Sequence, residues 1–199
     1  IQLDKMPIWF GRGQDAKGAH RTTDIATENI NGYSEKMIHH ATGHPYDELA
    51  DLLKDRGWSS NRRGVELDAQ YDTARAHAHL VEGVPDAKVS DSEQLVNWAR
   101  LVKSDAELVY MREAGAICTA AMNRGIEKIK PGVAQYEVIA EVYRAQVLGV
   151  EGVYGDYTGL CPLIQVGEGT STPHLTWSDK LIPRETLVML EMAGARHHY

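Results

Sequence analysis

Two residues near the end of the chain, a histidine and a glutamate, are the side chains best suited to chemistry. His174 lies in the polar segment 171–178, and Glu191 closes a short apolar run that is followed by Gly194. A short run of this kind is typical of a β-strand, and burying an unpaired carboxylate within one is costly. We therefore predict that Glu191 belongs to a functional site and that His174 is its partner.

The chemistry open to this pair is acid–base or nucleophilic. A carboxylate can attack an electrophilic carbon or activate a water molecule, and histidine titrates near neutral pH, so it can pass a proton to a leaving group. Two structural alternatives stay open. Glu191 could form an ion pair with Arg184 or Arg196, and His174 could be an ordinary surface residue.

The composition is that of a globular protein. Of the 199 residues, 43% are hydrophobic and 25% are charged, and the net charge of −7 argues against nucleic-acid and membrane-surface partners. No apolar stretch approaches the roughly 20 residues of a membrane helix, and no signal peptide is visible. We expect a cytoplasmic protein whose two cysteines, Cys118 and Cys161, are reduced. Because the chain starts without methionine and stops after a predicted strand, we expect a fragment of a longer protein.

The elements that must position this pair follow from the residue patterns. The first half of the chain alternates strands and helices, which favours an α/β domain, and residues 15–43 are interpreted as strand pieces and loops. A change of pattern near 102–104 predicts two domains, 1–102 and 103–199. The predicted strands are 8–10, 64–67, 87–90, 160–166 and 186–194, and the predicted helices are 45–57, 72–83, 92–101, 104–130 and 135–148.

Several segments resemble the creatinase and aminopeptidase P superfamily, also called M24. They are residues 101–108 followed by 111–115, and residues 130–133 followed by Glu137. The resemblance implies an α/β N-terminal domain followed by an α+β pita-bread domain of the creatinase/aminopeptidase type. It also implies that the second domain is truncated, so that the chain carries its first half.

Residues 171–177 together with 190–194 resemble the ectoine hydrolase branch of that superfamily. This resemblance implies hydrolysis of a C–N bond in the cyclic amidine ring of ectoine or hydroxyectoine, and it also implies a homodimer. A cyclic amidinium has an electrophilic carbon between two nitrogens. The expected roles are therefore nucleophile or general base for Glu191 and proton transfer for His174.

The resemblance also bears on metal binding. Metal-using relatives carry aspartate, a small or polar residue and glycine on the first metal-site strand, whereas this chain has Glu191, Met192, Ala193 and Gly194. No acidic residue follows in 195–199, so we predict a site without metal or other cofactor. The alternatives are an Xaa-Pro dipeptidase with two divalent ions such as Mn or Zn, and a non-catalytic protein.

Three further residues are candidates for substrate binding. Asp156 and Tyr157 lie in a glycine-rich segment before a predicted strand, where they could hold the ammonium or carboxylate group of a small substrate. Trp177 lies close to His174 in sequence and could form a pocket wall, although packing in the core is an equal alternative. His197 and His198 would point to opposite faces of a strand, so only one of them could reach a site.

Overall fold

The computed structural model describes residues 6–69 and 72–199, and it divides the chain between Leu101 and Val102 into two compact units. Among the described residues, no helix combines the length and apolar character needed to cross a membrane. Cys118 and Cys161 are both free thiols.

The first unit contains two pairs of parallel strands with helices between them. Strand β1 pairs with β2, and β3 pairs with β4. Helices α2 and α3 pack around Ala50, Leu80 and Val84, which are almost fully buried. The element bounds are β1 Trp9–Arg12, α1 Ala16–Thr22, β2 Ile30–Tyr33, α2 Pro45–Asp55, β3 Arg63–Val65, α3 Ala74–Gly83, β4 Val89–Asp91 and α4 Leu95–Ala99.

Helix α1 contradicts the prediction of strand pieces and loops for residues 15–43. It is short, contains Gly18, and buries one residue, Ala19. A helix this short shows no apolar periodicity, so a search for amphipathic patterns misses it. The neighbouring strand β2 agrees with the prediction.

The second unit consists of two long helices followed by an antiparallel strand pair. Helix α5 spans Asp105–Lys128, α6 spans Gln135–Leu148, β5 spans Leu163–Val166 and β6 spans Val188–Glu191, with a 3-10 helix at Gly167–Ser171. The predicted strands 160–166 and 186–194 therefore exist but are shorter than the sequence pattern suggested. The buried centre of the unit is formed by Val138, Ile139, Ile164 and Ile182.

The register of β5 and β6 sorts their side chains onto two faces. Ile164 pairs with Leu190, and these side chains belong to the core packed on α6. Because side chains alternate along a strand, the intervening pairs lie on the other face. Those pairs are Leu163 with Glu191 and Gln165 with Met189. We call this second side of the strand pair the Glu191 face.

The start of α5 is a capping box, for which Ser-x-x-Glu is the typical sequence pattern. The Ser104 hydroxyl accepts a hydrogen bond from the Glu107 N–H, and the Glu107 carboxylate accepts one from the Ser104 N–H at 2.7 Å. The Tyr199 hydroxyl also donates to Glu107, at 2.7 Å. The last residue of the chain is thereby tied to the first turn of this helix.

This arrangement predicts a pH-dependent contribution to stability. The Ser104 backbone N–H, followed by the Tyr199 and Ser104 hydroxyls, lowers the pKa of Glu107 to about 2. Because the folded pKa lies below the ordinary value of about 4.3 for glutamate, the contribution is complete above that value and is lost as pH falls toward 2. We expect Glu107→Gln to lower the free energy of unfolding near neutral pH, with a difference from the parent that shrinks between about pH 4.5 and 2.

Urea denaturation across this pH range measures that difference. Tyr199→Phe is the matched control, because it removes one donor and leaves both Ser104 hydrogen bonds in place. The Tyr199→Phe variant should therefore keep most of the pH-dependent stabilisation that Glu107 gives the parent protein. A difference for Glu107→Gln that does not change with pH would contradict the assignment.

Candidate active site

Glu191 is the last residue of β6, and its side chain is exposed on the Glu191 face. Within residues 6–69 and 72–199 its carboxylate forms no hydrogen bond or ion pair. The cost of burying this carboxylate, from which the site was predicted, does not arise, because strand alternation turns Leu190 toward the core and Glu191 away from it. The alternative pairing with Arg196 is also wrong, because the Arg196 guanidinium donates to Glu113 at 3.2 Å.

His174 lies in the connection between the 3-10 helix and β6, and its side chain is exposed. Its φ of 62° is in the left-handed region, which is unfavourable for a residue with a Cβ and persists where surrounding contacts hold it. The next residue in the chain makes such a contact, because the carbonyl of Leu175 accepts a hydrogen bond from the Gln165 side chain at 3.1 Å. Since Gln165 lies on the Glu191 face, the loop that carries His174 is fastened to the same side of the strands as Glu191.

The other predicted site residues gather at one cavity of about 420 Å³. Asp156 and Tyr157 line it, together with Tyr143 and Cys161. Trp177 contacts its wall, because its ring packs edge-on against Tyr143 with 6.0 Å between ring centroids. The Asp156 carboxylate has no hydrogen-bond or ion-pair partner in the described part of the chain. The cavity therefore combines one unpaired negative charge with aromatic rings.

One lining residue of this cavity, Cys161, is close in sequence to the strand end opposite Glu191, whereas Glu191 and His174 do not line the cavity themselves. Cys161 precedes Leu163 by two residues, a separation of at most about 7 Å between Cα atoms, and Leu163 is the residue opposite Glu191. The backbone N–H of Asp156 donates to the carbonyl of Ala195 at 2.9 Å, which fixes the glycine-rich segment beside the residues that follow β6.

Sequence reasoning missed three residues that shape these surroundings: Tyr143, Gln135 and Gln165. Tyr143 looked like one more residue of an amphipathic helix, and it lines the cavity from α6. Gln165 had a visible signal, since it is the one polar residue in the strand Leu163–Val166. Gln135 had none, because a polar residue in the first turn of a helix is ordinary.

The sequence of residues 109–199 matches the model of metallopeptidase family M24. Residues 109–199 belong to family M24. The predicted superfamily is thereby confirmed.

Among curated M24 relatives, the ectoine hydrolase of Halomonas elongata is 36% identical over 208 residues, an alignment that covers 100% of this chain and 51% of that protein. An uncharacterised hydrolase/peptidase of Sinorhizobium fredii is 36% identical over 194 residues and covers 98% and 50%. The chain thus spans about half the length of the curated relatives it matches. The chain is a relative of M24 hydrolases.

Solved structures of two peptidases share the fold. The prolidase from Pyrococcus furiosus superimposes with a TM-score of 0.68 at 20% identity, over 94% of this chain and 51% of that one. The Xaa-Pro dipeptidase from Bacillus anthracis gives 0.66 at 23% identity, over 93% and 47%. The predicted pita-bread fold is confirmed by this likeness.

Because the matched family is one of metallopeptidases, the described residues were compared with the ligand set that a metal ion requires. In the described residues, no group of three or more His, Cys, Asp and Glu side chains is arranged to hold a metal ion. His197 and His198 have positive φ angles of 49° and 65°, so they form a turn, and the prediction that they alternate on a strand is wrong. Their rings pack against Tyr110 and Tyr157. These residues do not fit a metal centre, and the reaction that we propose for the protein does not use a metal ion.

Proposed function

We propose that the intact protein is a hydrolase that opens the cyclic amidine ring of ectoine and releases N-acetyl-diaminobutyrate. The observation that carries this proposal is the unpaired, exposed carboxylate of Glu191 on the same side of the strands as the His174 loop. The 36% identity to the ectoine hydrolase of Halomonas elongata, across the whole of this chain, supports the same substrate class.

Substrate binding in this proposal rests on charge. Ectoine carries a delocalised amidinium, and the carboxylates of Glu191 and Asp156 are both free of partners among the described residues. Aromatic faces attract organic cations when the cation lies within about 6 Å of the ring centre. Tyr157, with Trp177 at the cavity wall, therefore completes a surface suited to a small cation.

The reaction requires a nucleophile at the amidine carbon and a proton for the leaving nitrogen. Glu191 supplies the first, either by direct attack, which gives a covalent imidoyl-enzyme once the C–N bond breaks and which water then hydrolyses, or by accepting a proton from an attacking water. His174 passes a proton to the nitrogen as its bond to carbon breaks. The oxygen of water becomes the amide oxygen of the product, and one C–N bond is lost.

The proposal includes the organisation of the protein. Residues 1–102 form an α/β domain, and residues 103–199 are part of the catalytic pita-bread domain. The active form is a cytoplasmic homodimer. Size-exclusion chromatography with light scattering on the intact protein tests the oligomeric state.

A metal-dependent Xaa-Pro dipeptidase is the second candidate. It is favoured by the family, whose description names metallopeptidases, and by relatives such as the Xaa-Pro dipeptidase of Pyrococcus furiosus, at 26% identity over 155 residues. The described residues do not supply a metal site, so this candidate needs ligands that they do not provide. A protein with this fold and no activity is the third candidate.

One experiment separates the three candidates. The intact protein is incubated with ectoine, with and without a chelator, and ring opening is followed by NMR; an Xaa-Pro dipeptide with added Mn²⁺ is tested in parallel. We expect ring opening at the same rate with and without chelator. Dipeptide cleavage that depends on the metal, without ring opening, would establish the second candidate, and inactivity toward both substrates would establish the third.

A further inference from the structure

A second cavity, of about 440 Å³, lies beneath the loop that follows His174. Its walls are formed by strand β5, the first turn of α6 and the returning loop. Two buried glutamines, Gln135 and Gln165, line it, and so do two charged residues, Glu168 and Lys180. Neither His174 nor Glu191 is among the lining residues, although Leu175, which follows His174, and Gln165, which lies on the Glu191 face, both line the cavity.

Each of the two glutamine side chains uses only half of its hydrogen-bonding capacity. The Gln135 carbonyl oxygen accepts hydrogen bonds from the backbone N–H and the hydroxyl of Ser178, at 3.1 and 3.0 Å. The Gln165 amide nitrogen donates to the Leu175 carbonyl at 3.1 Å. These bonds fix the orientation of both carboxamides.

The other half of each carboxamide has no protein partner in the described residues. What remains is the NH₂ group of Gln135, a donor, and the carbonyl of Gln165, an acceptor. Gln135 is 8% exposed and Gln165 is 5% exposed, and both line the cavity. A donor and an acceptor without a protein partner can bind water or a ligand from the cavity, and this cavity is large enough for a small molecule.

We propose that this cavity binds the secondary amide of a small N-acyl amino acid. The amide carbonyl accepts from Gln135, and the amide N–H donates to Gln165. Lys180 attracts the ligand carboxylate and Glu168 attracts a ligand ammonium. A tertiary amide such as an Xaa-Pro bond lacks the N–H that Gln165 requires, so the cavity discriminates against it.

The choice of ligand rests on the proposed function, because hydrolysis of a cyclic amidine yields a secondary amide, an ammonium and a carboxylate in one molecule. Binding itself requires no turnover. The test therefore uses the intact protein with Glu191→Gln, which removes the proposed catalytic group and leaves the lining of this cavity unchanged. Loss of ring opening and loss of amide binding are then separate results.

The experiment compares two isosteric ligands by isothermal titration calorimetry. Nγ-acetyl-diaminobutyrate carries the amide N–H, and O-acetylhomoserine replaces that N–H by an ester oxygen. We expect the amide to bind at least about 10-fold more tightly, because the ester places an acceptor against the Gln165 carbonyl. Equal affinities, or no binding of the amide at millimolar concentration, would overturn the proposal.

Two variants localise the effect. Gln135→Glu keeps an oxygen for Ser178 and replaces the free donor by an acceptor, so we expect a loss of about 10-fold or more in affinity for both ligands. Gln165→Met removes the acceptor, so the preference for amide over ester should fall to about one. That ratio does not depend on the overall stability of either variant. Unchanged affinity in the first variant, or an unchanged ratio in the second, would place the ligand elsewhere.

Discussion

Glu191→Gln is expected to lower the turnover of ectoine by about 10² to 10⁴-fold, the range that a positioned acid–base group contributes. Glutamine has the same shape but neither attacks the amidine carbon nor accepts a proton from water. It also removes one of two unpaired negative charges that attract the amidinium. NMR measurement of kcat and KM for the intact protein separates these effects, since the first lowers kcat and the second raises KM.

The fold should not change with this substitution. Because Glu191 is exposed and unpaired, the free energy of unfolding should stay within about 0.5 kcal/mol of the parent value. Glu185→Gln is the matched control, because Glu185 is also an exposed carboxylate without a partner among the described residues, and it lies in the loop before β6. Its turnover should be close to that of the parent. Near-normal turnover in Glu191→Gln would show that this carboxylate is not part of the reaction.

Gly194→Ala is expected to lower the free energy of unfolding by about 3 kcal/mol, because the added methyl group overpacks its surroundings. We expect this loss of stability to be larger than that of any other substitution proposed for this protein. The chain passes directly against α5 at this point. A Cβ on Gly194 would clash with the Ala114 carbonyl oxygen and would lie 2.7 Å from the Cys118 nitrogen. Both are backbone atoms inside a regular helix, so neither can move without breaking helical hydrogen bonds. Urea denaturation of the variant measures the loss.

Gly115→Ala is the control, because it adds the same methyl group to the helix that Gly194 contacts. Outside the neighbouring backbone of the helix itself, no atom of the described residues lies within 4 Å of the new Cβ, and alanine is favoured over glycine in a helix interior by about 1 kcal/mol. This variant should therefore be more stable than the parent. Equal effects of the two substitutions would contradict the close approach at Gly194.

The helices of the second unit were predictable because their signals are local. The capping box of Ser104 and Glu107 determines where α5 begins, and a repeat of apolar residues follows it within the next turns. Strand β6 was predictable as an element, but its length was not, because strand ends depend on a partner strand. Helix α1 was missed, since so short a helix is stabilised by its surroundings more than by its own sequence.

The candidate site, like the fold, was predictable from the sequence only in part. The sequence by itself determined the candidates for chemistry, His174 and Glu191, because residue type and local pattern are enough to select them. Only the tertiary structure decided that Glu191 is exposed, because the side of a strand that faces the core is set by the register with β5 and by packing on α6.

Tertiary contacts also decided what surrounds the pair. The hydrogen bond from Gln165 to Leu175 and the contact of Trp177 with Tyr143 join residues that are distant in sequence. The approach of Gly194 to Ala114 does the same. The sequence therefore suggests the candidate reactive groups, whereas the cavities exist because segments far apart in the chain pack at van der Waals and hydrogen-bond distance, which no local pattern encodes.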